Sequence, residues 1–120
     1  MERMLAPRGF EIDVRASGPT TIVRLNGELD CATTHQVSAA VGPLCARSVD
    51  VRKIVLDTRG LTFMDARGLS EMLRHAAFAH ENGHTLAVVR GPRAVQRLFE
   101  LTGTDRGVSF VDDPAELIAG

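Results

Sequence analysis

No apolar run in this chain approaches the ~20 residues that a bilayer-crossing helix requires, so no direct membrane insertion is expected. A basic excess is missing as well. The chain has 14 Lys and Arg against 15 Asp and Glu, a formal net charge of -1. Surfaces that bind nucleic-acid phosphates usually carry surplus cations, so no nucleic acid is expected as a partner. Cysteine is scarce: Cys31 and Cys45 match neither a zinc spacing nor a C-x-x-C redox motif. If one helix joins them, its ~1.5 Å rise per residue holds them roughly 21 Å apart, beyond the ~7 Å limit of a disulfide. Both read as reduced, small hydrophobic residues.

Catalytic and ligand-holding patterns are missing too. The four histidines are His35, His75, His80 and His84. Only His80 and His84 have i, i+4 spacing, and Asn82-Gly83 interrupts the helix that would align them. There is no H-E-x-x-H motif, so no metal is expected, and His75 and His80 read as solvent-facing. No G-x-S-x-G motif supplies an activated serine. No G-x-x-x-x-G-K-[ST] loop or G-x-G-x-x-G fingerprint cradles a phosphate, and no cofactor is expected. The sequence does not read as an enzyme.

What is present fits one ordinary globular domain. The chain has 120 residues, 44% apolar and 24% charged, enough to bury about two-thirds of its unfolded surface. Residues 1–8 read as a short leader. They have no apolar h-region and carry an early acid, Glu2, which argues against a secretory signal and for the cytoplasm. Residues 9–120 read as the domain. Phe10, Ile12 and Val14 alternate with Glu11, Asp13 and Arg15, the period of a half-buried strand. Ser17-Gly18-Pro19 turns the chain into a second strand, Thr20 to Leu25.

Asn26-Gly27-Glu28-Leu29-Asp30 breaks the pattern, and Asp30 is placed to cap a helix starting near Cys31. Val37, Ala40, Val41 and Leu44 give that helix its inner stripe, and Gly42-Pro43 predicts a kink or an end near Val41. Ile54-Val55-Leu56 reads as a central strand ending at Asp57, followed by a loop over Thr58 to Met64. Ala66 to Glu81 is the clearest helix, with Asp65 as its cap and Asn82-Gly83 as its stop. Thr85 to Val89 is a buried strand. Pro92 opens a helix that turns Val95, Leu98 and Phe99 inward. Val108 to Val111 is a last strand, and Asp112 to Ile118 a last short helix capped by Asp112 or Asp113. The order β-β-α-β-α-β-α-β-α predicts an α/β fold, a mixed and mostly parallel sheet of four to five strands flanked by helices.

Two segments carry a family resemblance. One is Leu25-Asn26-Gly27-Glu28-Leu29-Asp30. The other is Ile54-Val55-Leu56-Asp57 followed, after a loop, by Phe63-Met64-Asp65-Ala66-Arg67-Gly68-Leu69. In this element order they resemble the STAS domain, and specifically the bacterial anti-sigma factor antagonists, over about residues 9–119. The resemblance implies binding to a GHKL-type serine kinase that doubles as an anti-sigma factor, which frees a sigma factor. It also implies a switch. The kinase phosphorylates a serine directly after the loop aspartate, and a PP2C-type phosphatase reverses this. The implied contact surface here is Glu28, Asp30, Thr62, Phe63, Met64, Asp65, Ala66 and Arg67. Two other readings stay open: a nucleotide- or small-molecule-sensing STAS domain, and a STAS subunit of a larger assembly such as a transporter or stressosome.

The chain departs from the family pattern at its most telling position. Where the family reads Met-Asp-Ser, this chain reads Met64-Asp65-Ala66. Ala66 has no hydroxyl, so the usual phospho-acceptor is missing. The nearby hydroxyls at Thr58, Thr62 and Ser70 are out of register with it. Arg67 puts a long cation where the family has a small residue. As helix caps, Asp30 and Asp65 would each contribute about 0.5–2 kcal/mol whatever their role in contact.

Overall fold

The computed structural model describes residues 9–46 and 53–118. The leader assigned to residues 1–8 lies outside the described residues. Eight residues, Phe10–Ser17 (β1), pair antiparallel with Thr20–Leu29 (β2). The link is Gly18-Pro19, and Gly18 sits at φ 59. A glycine with positive φ at the first central position gives a two-residue hairpin whose twist matches the strands. Then come Thr34–Cys45 (α1), Lys53–Met64 (β3), Ala66–Glu81 (α2), Thr85–Val89 (β4), Arg93–Thr102 (α3), a 3-10 turn over Thr104–Gly107, Ser109–Val111 (β5) and Ala115–Ile118 (α4). The five strands lie in sequence order, β1-β2-β3-β4-β5. Every neighbouring pair after the first is parallel.

Right-handed crossovers that all step the same way along a sheet put their helices on one face. That face holds the core. Val23, Leu25, Ile54, Leu56, Leu86 and Val88 meet Val37, Val41, Leu69, Met72, Val95 and Phe99 there. Phe99 and Phe110 pack edge to face, with ring centroids 5.2 Å apart. The alternate residues Val55, Asp57, Ala87 and Val89 are buried towards the second face. There α4 crosses the sheet: Lys53 Nζ donates to Leu117 O at 3.3 Å. Asp57 lies beside a cleft of about 250 Å³ that Ile22, Arg24, Pro114 and Ile118 help to line.

Four sequence expectations are corrected. First, β2 does not stop at Leu25 and β3 does not stop at Asp57. Both continue, to Leu29 and Met64, and pair with each other along the way. The continuation is irregular, with register shifts between Arg24 and Asn26 and between Gly27 and Glu28. Leu61 and Met64 are both buried though three residues apart, which strict period-2 alternation forbids. A bulge at Thr62 reconciles them, and it also hid the strand from a periodicity reading. Gly60 belongs to the same adjustment: a Cβ there would lie 1.9 Å from Asn26 Oδ1.

Second, α1 begins at Thr34, not near Cys31. Third, α1 runs through Pro43 to Cys45. Proline clashes with the Cβ of the residue before it, and Gly42 has none. Pro43 also stands in the last turn, where little helix remains to disrupt. Fourth, His75 does not face solvent. It is 2% exposed, because it continues the inner stripe of Leu69 and Met72. The cysteines are free, Cys31 exposed and Cys45 buried. Burial pushes the Cys45 thiol up to about 11, which keeps it protonated at neutral pH.

Candidate functional site

The C-terminal ends of β2 and β3 lie side by side, with Glu28 in register with Phe63 and Leu29 with Met64. The strand alternation splits these pairs. Glu28 and Phe63 face outward, and Phe63 remains 47% exposed; Leu29 and Met64 face the core. Thr62, Ala66 and Arg67 are exposed, and Asp30 and Asp65 are half-buried. The fold therefore brings together all eight residues expected at the contact surface. It withholds one side chain: Met64 is 7% exposed and supports the edge from beneath.

The brace between the strand ends is made of backbone and small side chains. Asp65 N donates to Leu29 O at 3.2 Å, and Asp65 Oδ1 accepts from Gly68 N at 2.9 Å. The carboxylate thus satisfies an amide that the first helical turn would leave bare. Gly68 then packs directly on β2. A Cβ there would lie 2.7 Å from Leu29 O and 2.8 Å from Leu29 Cγ, too close for any side chain. This fixes α2, and with it Ala66 and Arg67, against the end of β2.

At the other junction, Asp30 does not cap α1. Its Oδ1 accepts from Ala32 N at 2.9 Å, and its carbonyl accepts from Thr33 N and Thr34 N, both at 3.0 Å. These bonds close a turn before the helix, and the residue at the N-cap position, Thr33, makes no side-chain cap. Instead the buried Thr33 hydroxyl donates to Glu28 O and accepts from Asp30 N, both at 2.9 Å. Sequence reading missed Thr33 and the packing role of Gly68. Thr33 carried no signal distinct from its neighbour Thr34; Gly68 stood in the quoted motif as a bare glycine in a helix, which already suggests close approach.

The three hydroxyls near the missing acceptor differ in access. Thr62 and Ser70 are exposed. Thr58 is fully buried and donates to Val89 O at 2.6 Å, so it is closed to a kinase in the folded chain. Asp57, the neighbouring residue within β3, is held by Arg59: Nε to Oδ1 at 3.0 Å and Nη2 to Oδ2 at 2.9 Å. Burial pushes the Asp57 carboxyl up. The hydrogen bonds and charge of Arg59, with the charge of Arg24, outweigh this and hold it below its ordinary value. It serves the second face of the sheet, not the exposed edge.

The family model described as "Mlab, STAS domain" matches residues 12–112. The chain belongs to the STAS domain family. It is 31% identical over 104 residues to an anti-sigma F factor antagonist of Paenibacillus polymyxa, a match spanning 87% of this chain and 88% of the relative. Two solved structures share the fold. An anti-sigma factor antagonist from Mycobacterium paratuberculosis superposes with TM-score 0.78 at 22% identity, covering 95% of each chain. A putative anti-sigma factor antagonist from Thermotoga maritima does so with TM-score 0.77 at 21% identity, covering 90% of this chain and 92% of the other. This STAS domain is of the anti-sigma factor antagonist-like type, and its five-stranded mixed sheet flanked by helices is the architecture expected from the sequence.

Proposed function

We propose that this STAS domain binds a GHKL-type serine kinase that acts as an anti-sigma factor, and so frees a sigma factor in the cytoplasm. It does so as a binding protein, not as an enzyme. The contact surface is the edge where β2 and β3 end and α2 begins: Glu28, Asp30, Thr62, Phe63, Asp65, Ala66 and Arg67, with Met64 supporting them. The relative's name supports an anti-sigma factor as the partner.

One observation carries the regulatory part of the reading. Ala66 is exposed at the first residue of α2, beside the capping carboxylate of Asp65, and has no hydroxyl. A phosphate at that position would add about -1.5 to -2 charges next to Asp65 and repel a matched partner surface. Without an acceptor, the edge stays in its unmodified, binding form, and a PP2C-type phosphatase has nothing to remove there.

Calorimetric titration of the kinase with wild type and Ala66→Glu tests this. The variant places a carboxylate at an exposed helix start, so its melting temperature stays nearly unchanged. Its affinity falls by more than about tenfold, or about 1.4 kcal/mol. Equal affinities would put the interface elsewhere.

A further inference from the structure

Among the described residues β1 is the outer strand of the sheet, with β2 on one side and no strand on the other. The hairpin fixes which of its backbone groups are free. The two-residue link makes Ser17 and Thr20 a hydrogen-bonded pair. Eight residues earlier in the register, Gly9 O accepts from Glu28 N. By the antiparallel alternation, the odd-numbered residues of β1 bond to β2, and the amides and carbonyls of Phe10, Ile12, Val14 and Ala16 point away from the sheet. The side chains alternate between faces. Glu11, Asp13 and Arg15 share the second face, while Phe10, Ile12 and Val14 share the helix-bearing face. Phe10 is buried there, but Val14 is 49% exposed.

We propose that this edge pairs with the same edge of a second copy of the chain, in an antiparallel β1–β1 contact centred on Val14. A two-fold contact is self-complementary, so each residue meets the one that its own mirror position selects. Centring on Val14 sets Asp13 of each copy opposite Arg15 of the other, at positions outside the hydrogen-bonded pairs, where facing side chains come closest. Val14 meets Val14, Ile12 meets Ala16, and Glu11 meets Ser17. Within one chain Asp13 and Arg15 meet only weakly, at 3.9 Å, with side chains 60% and 76% exposed.

The charges select this register over its neighbours. Centring on Asp13 opposes two aspartates, and centring on Ile12 opposes Glu11 to Asp13; like charges placed opposite destabilise a strand pair. Protected edges typically carry lysine or other charged side chains, proline or a bulge. Phe10–Ser17 has no lysine and no proline, and its charges are of both signs. The pairing joins the two sheets into one and covers Val14. Because the paired strands run in opposite directions, it leaves the Glu28–Arg67 edges free at opposite ends.

Sedimentation equilibrium of the full chain at low salt, over a range of concentrations, tests the contact. Wild type approaches the mass of two chains as concentration rises, and salt weakens the association. Asp13→Arg or Arg15→Asp alone sets like charges opposite at both crossing points and raises the dimer dissociation constant by about tenfold or more. An equimolar mixture of the two single variants recovers the dimer mass, as does the double swap Asp13→Arg/Arg15→Asp. Both side chains are exposed, so circular dichroism of the variants matches wild type. A wild type that stays monomeric overturns the proposal. So does a dimer that survives the single variants, and so does a double swap that stays monomeric, which is the outcome required by a register centred on Asp13.

Discussion

The two strand-to-helix junctions at the exposed edge look alike in sequence and differ in build. Leu29-Asp30 and Met64-Asp65 both end a strand with a buried apolar residue and an aspartate. Asp65 caps its helix at once, and three residues later Gly68 lets that helix touch β2. Asp30 closes a turn onto the exposed Ala32 amide, and α1 starts only at Thr34. The same residue type therefore holds a rigid helix start at one junction and a short loop at the other. What separates them is the missing Cβ at Gly68, which turns a capped helix into a packed one.

The largest expected effect follows from that contact. Gly68→Ala forces a Cβ to within 2.7 Å of a β2 carbonyl, and crowding of this kind costs about 1–3 kcal/mol. Gly107→Ala has open space around the new Cβ and stays within about 0.5 kcal/mol of wild type. Urea unfolding of both variants measures the difference. Similar losses would mean that α2 does not depend on close approach to β2.

Next in size is the charge network away from both junctions. Asp57→Ala removes the paired bonds to Arg59 and costs about 1–3 kcal/mol. Its pH dependence has a definite sign. Asp57 and Glu71 both sit below their ordinary values of 3.8 and 4.5 in the folded chain. At Glu71 burial pushes upward, and hydrogen bonds from Ser38, Arg74 and His75 outweigh it. The folded state therefore holds these protons less tightly than the unfolded state. The stability they contribute is complete above the ordinary values and drains away as pH falls below them through the folded-state values. Chemical denaturation at a series of acid pH values should show a shallower loss in Asp57→Ala than in wild type.

The smallest effects sharpen the comparison of the caps. Asp65→Ala loses a helix cap and about 1 kcal/mol. Asp30→Ala loses a bond to an exposed amide that water replaces and a long contact, 3.4 Å, with the Thr33 hydroxyl, together about 0.3 kcal/mol. Thermal melts rank the two, and equal losses would erase the distinction between the junctions.

The same contrast explains what the sequence disclosed. α2 was legible at both ends because its cap, apolar stripe and Asn-Gly stop agree with its packing. β4 was legible because a strand buried on both faces is a short unbroken apolar run. The far halves of β2 and β3 were not, because bulges break the alternation on which strand reading depends. Helix α1 was misjudged at both ends for reasons outside its own periodicity: a side-chain-closed turn delayed its start, and the glycine before Pro43 let it continue. His75 shows the same limit, since a histidine on an inner stripe reads as polar until Glu71 Oε2 is found 2.7 Å from its Nε2. The candidate site residues came into view through family resemblance. Their placement on one edge follows from the pairing of Glu28 with Phe63 and Leu29 with Met64.

The most direct test of a permanently unmodified edge is to add ATP to the complex with the kinase. The labels to follow are phosphate, mapped by mass spectrometry, and bound complex, measured by gel filtration. Wild type should stay bound and unlabelled, while Ala66→Ser should gain phosphate at residue 66 and dissociate. Dissociation of wild type with stoichiometric phosphate on Thr62 or Ser70 would contradict the account, because the switch would then have moved along the edge and not been lost.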